Sequence, residues 1–265
     1  MIDYGMPTLI ELSDAEECAA LAARLGLKFV ELNMSFPRYQ LECLDADRLR
    51  RLTDKYGIYF TVHLNESLDV TNVNPRIARV YTEDVLGTVE LAKKIGIPSL
   101  NMHLLRGIYV TLPDRRTFVY AENEEFYLEG MRRFRDEVTQ AIGDSGVGIR
   151  IENTDGYDLP FLVHAMDTLL ESPAFSLTFD IGHDNAIGHI DEPLILEREG
   201  RLKHMHMHDG IGGKVHLGLG DGNMDIPRFV RLAEKNGCRV VLETKTVAAL
   251  EKSAAYINSL YNTDL

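Results

Sequence analysis

The sequence is short of cysteine, of basic residues and of long apolar runs, and each shortage excludes something. Its three cysteines, Cys18, Cys43 and Cys238, are odd in number, far apart and form no CxxC pair. Neither a disulfide framework nor a cysteine zinc site is therefore expected. No apolar run reaches the ~20 residues that cross a bilayer. The opening MIDYGMPTLIELSD lacks the basic start and apolar core of a secretory signal. A cytoplasmic, non-membrane protein is the expectation. Lys and Arg number 28 against 41 Asp and Glu, a formal net charge of −13. That balance argues against general nucleic-acid affinity, though a local basic cleft survives it. No GxGxxG fingerprint follows the first strand-like segment, which argues against dinucleotide binding.

What is present is a regular alternation. The chain has 265 residues, 45% of them hydrophobic, enough for one large core. Strand-like runs are DYGMPTL, KFVELN, IYFTVHL, SLNMHL, GIRIEN, SLTFDI, KHMHMH and RVVLET. Helical periodicity fills the intervals, clearest over 74–95 (ending at Gly96), 123–142 and 247–261, and weakest after the sixth strand. Ser13 and Glu16 have the spacing of a capping box. Eight alternations predict one (β/α)8 TIM barrel spanning residues 1–265, rather than an open doubly wound sheet.

The stretch KHMHMHDG, residues 203–210, sets His204, His206 and His208 on one face of a strand and Met205 and Met207 on the other. Barrel strands are covered by helices outside, so the apolar face must be the outer one. The same parity holds elsewhere. Phe60 and Val62 oppose Thr61 and His63; Leu100 and Met102 oppose Asn101 and His103; Ile149 and Ile151 oppose Arg150 and Glu152. Leu177 and Phe179 oppose Thr178 and Asp180; Val240 and Leu242 oppose Arg239 and Glu243. The polar face is then the barrel axis, with ionisable groups near the strands' C-terminal ends, where barrel active sites lie. Leaving buried polar groups unpaired costs about 1–3 kcal/mol each, more for charges. The inward set His63, His103, Glu152, Asp180, His206 and Glu243 calls for a compensating divalent cation. Its mixed oxygen and nitrogen donors suit Mn, Mg, Co or Zn, and a second imidazole cluster of His63 and His103 with His183 or His216 favours zinc.

Other features have competing readings. The carboxylates have an alternative partner in Arg150 and Arg239, deeper on the same faces. Glu31 shares the inward parity; His204 reads as buried packing and His208 as a rim or supporting group. The loop GLGDGN, 218–223, reads as a tight turn, or as the phosphate site that barrels often place after strand seven. Lys245, near the mouth, and Arg106, after the fourth strand, are ordinary solvated charges or contacts to an anionic substrate group.

The ordered set VH, MH, IEN, FDIGH, HMHD, HLGLGDG and LET resembles the xylose-isomerase-like barrel superfamily, whose members include sugar isomerases and epimerases and the endonuclease IV type of apurinic endonuclease. The resemblance implies that Glu152, Asp180, His206 and Glu243 form a shared metal quartet. The histidine with an acid three residues on selects His206, followed by Asp209. It implies His63 and His103 as ligands of a second ion, and His183 and His216 as third-site histidines. There the endonuclease pattern has an aspartate where this chain has Lys214. In the sugar-epimerase branch, His183 and Asp158 would instead touch substrate.

The expected function is a divalent-metal-dependent isomerase or epimerase of a sugar or sugar phosphate. Glu152 and Glu243 would exchange the proton beside the carbonyl through a metal-stabilised enediolate, with His183 assisting. Expected substrate contacts are His183, Asp158, Arg106 and Lys245; expected metal ligands are Glu152, Asp180, His206, Glu243, His63, His103 and His216. One ion is expected and a second is allowed for; oligomerisation is left open. The rival readings are an endonuclease IV-like phosphodiesterase, opposed by Lys214 and the acidic charge, and a barrel that binds metal or sugar without turnover.

Overall fold

The structure is a computed structural model that describes residues 2–153 and 157–262. Among these residues eight parallel strands close into a barrel: β1 (Asp3–Pro7), β2 (Phe29–Asn33), β3 (Tyr59–His63), β4 (Ser99–His103), β5 (Gly148–Glu152), β6 (Phe175–Asp180), β7 (Leu202–Met207) and β8 (Arg239–Leu242). Each pairs with its neighbours in sequence, and β8 closes onto β1. This is the (β/α)8 TIM barrel that the alternation predicts, and each of the eight expected runs supplies one stave. No helix among the described residues is long and apolar enough to cross a membrane.

Helix limits follow local chemistry. The helix Pro75–Ile95 opens with proline behind an Asn74 cap and stops at Gly96, whose φ of +88° favours glycine. The expected Ser13–Glu16 box is displaced by one residue. Asp14 is the actual cap, accepting from the amides of Glu16 and Glu17, while Glu17 Oε2 reaches back to the Ser13 N–H at 2.7 Å. The segment after β6, where periodicity is weakest, forms two short helices, Ile181–Ala186 and Asp191–Glu197.

The parity argument holds in three dimensions. Outward Val62, Met102, Ile151, Phe179, Met207 and Leu242 are buried beneath the helices. The axis is layered. At its N-terminal end Arg239 Nε donates to the Tyr59 hydroxyl, which donates to Asp3, and Arg150 donates to Ser176 Oγ at 2.7 Å. The middle layer holds Glu31, Thr61, Asn101, Thr178, His204 and Val241, all buried. The candidate site lies above it.

Gly5 of β1 marks how tightly the lower axis is filled, because a Cβ there would lie 2.4 Å from the Phe29 ring. Gly5→Ala should destabilise the protein by about 1–3 kcal/mol through overpacking. The check is a lower urea midpoint with an unchanged m-value; an unchanged midpoint would show that the axis has slack.

Candidate metal centre

His206 stands at the centre of the C-terminal mouth and is 1% exposed. Its Nδ1 lies 3.1 Å from Glu243 Oε2, 3.2 Å from Glu152 Oε1 and 4.0 Å from Asp180 Oδ2. Three strands and the residue after β8 thus deliver one ligand atom each, and those atoms lie within 4.8 Å of one another. The alternative partners are elsewhere: among the described residues no ion pair joins Arg150 or Arg239 to these carboxylates, and both guanidiniums bond at the lower end.

Each carboxylate has one oxygen committed and another directed inward. Asp180 Oδ1 caps the following helix, accepting the His183 N–H at 2.7 Å, and Asn153 grips the Asp180 backbone at both N–H and C=O. Glu243 Oε1 meets Lys245 Nζ at 2.7 Å. Glu152 Oε2 accepts from Asn101 and faces His63 Nε2 at 3.3 Å and His103 Nε2 at 3.2 Å. The inward atoms Asp180 Oδ2 and Glu243 Oε2 are buried without a hydrogen-bond partner, as is His103 Nε2. Unpartnered buried oxygens around a shared point fit a divalent cation's oxygen and nitrogen shell.

The electrostatics report the same crowding. Burial opposes charge on His206, yet Glu152, Glu243 and Glu31 push its imidazole well above the ordinary histidine range. Burial likewise opposes ionisation of Glu152 and Glu243, but His206 outweighs it and holds both well below the usual carboxylate range. His63 is driven up to about 9, against burial, by Glu152.

Two histidine groups flank the quartet. His63 and His103 stack edge to face at 4.7 Å over Glu152 Oε2, and the His63 Nδ1 lies 2.8 Å from the Leu64 carbonyl, a contact that leaves the Nε2 lone pair free once the imidazole is neutral. On the other side, His183, His208 and His216 converge. His208 is fully buried rather than at the rim. Its Nδ1 accepts the His216 N–H at 2.8 Å, and its Nε2 lies 3.1 Å from Asp180 Oδ1. The glycine of FDIGH makes room for it, since a Cβ on Gly182 would lie 1.8 Å from the His208 ring. Burial holds His216 down at about 4, a neutral imidazole beside Glu243. Lys214 stands exposed on the hairpin beyond.

The remaining expected residues spread around the mouth. Lys245 adjoins Glu243, Arg106 is half-buried after β4, and Asp158 is exposed before the helix Pro160–Leu170. The turn at 218–223 wraps a carboxylate of its own chain. Asp209 accepts from the amides of Gly220 at 2.9 Å and Met224 at 3.2 Å, which fills the place of an external anion. A cavity opens beside the quartet, walled by Leu9, Ile10 and Phe36 and by Asn33, Glu66 and Lys245. Asn33 and Glu66 are bonded at 3.0 Å; Asn33 ends β2 with the same inward parity as Glu31, and Glu66, past the end of β3, had no sequence signal.

Comparison with known proteins accords with this architecture. The sequence matches the family described as xylose isomerase-like TIM barrel over residues 19–260. It is 26% identical over 197 residues to the uncharacterised protein MJ1311 of Methanocaldococcus jannaschii, an alignment covering 71% of this chain and 63% of that one. Among solved structures it resembles a D-tagatose 3-epimerase-like protein, with a TM-score of 0.80, 19% identity and coverage of 99% and 98% of the two chains. It also resembles a D-allulose 3-epimerase from Methylomonas sp. in complex with D-allulose, with a TM-score of 0.72, 18% identity and coverage of 98% and 96%. Structural likeness at such identity speaks to the fold, and the family match spans nearly the whole of it: this chain belongs to the xylose isomerase-like TIM barrel family.

Proposed function

We propose that this chain is a divalent-metal-dependent epimerase or isomerase of a sugar or sugar phosphate. The observation that carries the reading is the set of inward, unpartnered carboxylate oxygens of Asp180 and Glu243 facing His206 and Glu152 beside an open cavity. Glu152, Asp180, His206 and Glu243 would hold the ion, and their donor set accommodates Mn, Co, Mg or Zn. Bound there, a cation would supply Lewis-acid polarisation of adjacent substrate oxygens and stabilise enediolate charge.

The chain's own residues do the rest. Glu152 and Glu243 approach the centre from different staves, so one removes the proton beside the carbonyl and the other returns it. Lys245 keeps Glu243 ionised and oriented through Oε1. His183, whose side chain is about a third exposed, faces the open side and offers a hydrogen bond to a substrate hydroxyl. Asp158 and Arg106 are proposed as outer contacts, and Leu9, Ile10 and Phe36 as the apolar wall against the substrate's C–H face. The sugar epimerases among the structural neighbours, one of them bound to D-allulose, support this choice of substrate class.

A second reading keeps one specific observation: His63, His103 and Glu152 could hold a second ion, as phosphodiester chemistry on the endonuclease IV pattern would use. Lys214, in place of that pattern's aspartate, and the net charge of −13 weigh against it. Incision of an abasic duplex, lost on chelation, would favour it over the first.

Two outcomes are expected. Turnover of the right ketose or aldose in D2O should carry deuterium into product, and Glu152→Gln and Glu243→Gln should each lower kcat by about 10²–10⁴-fold. Product free of label would rule out proton transfer through these glutamates. The second concerns pH. In the metal-free protein His63 has a raised pKa, so its contribution to stability is full below the ordinary histidine range and fades as pH rises through about 9. Metal binding needs these same groups unprotonated. Calorimetric titration with Zn(II) at neutral pH, in buffers of different ionisation enthalpy, should therefore show net proton release and an affinity that rises with pH. Binding without proton release would contradict the ligand set.

A further inference from the structure

One ionised group on the axis has no part in the chemistry above. Glu31 lies in the middle layer, 2% exposed, where an apolar side chain would fill the space at lower desolvation cost. Its Oε2 accepts from Thr61 Oγ1 at 3.0 Å and lies 3.2 Å from His204 Nε2. Its Oε1 lies 2.9 Å from His206 Nε2. Thr61 thus fixes the carboxylate plane and leaves Oε1 to His206.

A neutral imidazole carries one proton, on one nitrogen or the other. His206 has competing claims on it: Glu31 below Nε2, and the carboxylates of Glu152, Glu243 and Asp180 facing Nδ1. A proton on Nδ1 would aim an N–H at the point where the quartet converges and close it to a cation. We propose that Glu31 is a positioning residue that keeps the proton of His206 on Nε2, so that Nδ1 turns its lone pair to the ion shared with Glu152, Asp180 and Glu243. The inference rests on the reading that this quartet binds a divalent cation.

The neighbouring imidazoles show that the far nitrogen's partner sets what the near one offers. His63 has the Leu64 carbonyl at Nδ1, which in the neutral ring leaves the Nε2 lone pair free; His208 accepts the His216 amide on Nδ1, which puts its proton on Nε2, toward Asp180. His206 alone of the three has a carboxylate behind it, and that carboxylate is excluded from water. A charge-assisted hydrogen bond of this kind fixes the ring and makes the ligating nitrogen more basic.

The test uses the full chain with Zn(II) as probe. Glu31→Met removes the acceptor at similar length; Glu31→Gln keeps an amide oxygen that can still accept from Nε2–H. In competition with a chromophoric chelator, Glu31→Met should bind Zn(II) about 10–100-fold more weakly than wild type, with Glu31→Gln in between. Circular dichroism of the metal-free variants separates this loss from loss of fold. In wild-type protein labelled with 15N-histidine and loaded with Zn(II), long-range 1H–15N correlations should show His206 protonated on Nε2 with Nδ1 at the shift of a ligating nitrogen. This readout needs no variant at Glu31. Unchanged affinity in a folded Glu31→Met protein, or ligation through Nε2, overturns this inference and leaves the proposed function standing. Failure of the wild type to bind a divalent ion at the mouth overturns both.

Discussion

The site depends on a single electrostatic constraint: three carboxylates and a cluster of imidazoles occupy a barrel mouth almost closed to water. In bulk water such groups would repel weakly. Here Asp180 and Glu152 are 0% and 2% exposed, and their mutual repulsion is screened by protein alone. The chain supplies some compensation. Asn101 donates to Glu152, the His183 amide to Asp180 and Lys245 to Glu243. Each of these donors holds the oxygen that faces away from the centre. The inner oxygens of Asp180 and Glu243 keep their lone pairs, and they converge on His206. This arrangement costs stability unless positive charge enters, and it is what a preorganised cation site requires.

The fold's part is to separate the two signs of charge along the axis. Guanidiniums occupy the N-terminal end, where Arg239 meets Tyr59 and Arg150 meets Ser176. Had they reached the mouth, they would have neutralised the carboxylates and left no charge for an ion. The strand stagger prevents this. Arg150 precedes Glu152 by two residues on β5 and Arg239 precedes Glu243 by four on the β8 side, so each arginine lies one or two inward layers below the acid.

That stagger also decides what could be read in advance. Parity along KHMHMH, GIRIEN and SLTFDI assigned faces, because a strand has a period of two and helices cover the outside. It put Glu152, Asp180, Glu243, His63 and His103 on the inward face, while the choice of His206 over His204 and His208 came from the family resemblance. It did not give depth: alternation says which residues point inward, and only the tilt and stagger of the strands say which share a layer. His204 and His206 are equivalent in the sequence, yet His204 lies at the level of Glu31, whereas His206, two residues on, reaches the centre and faces Glu152 and Glu243 through Nδ1. Glu31 was legible as inward but not as the partner of His206, because that contact joins residues 175 positions apart across the barrel. Phe36 and Glu66 escaped because they follow strand ends, where periodicity stops and loop geometry takes over, whereas Asn33, the last residue of β2, carries the inward parity of Glu31.

The three histidines of KHMHMHDG then answer to three environments, and the difference lies in which carboxylates each meets. His204, desolvated and beside Glu31, has burial pulling it below the ordinary histidine range. His206 lies between Glu31 and the quartet and is pulled the other way. His208, beyond the last ladder pair, turns from the axis to Asp180 and takes the amide of His216. Two residues after β7's end, Asp209 closes the GLGDGN turn around its own carboxylate, which anchors the loop that carries His216. Asp209 thus holds the turn and Asp180 faces His208, so the strand end and the loop that follows it each rest on a buried carboxylate.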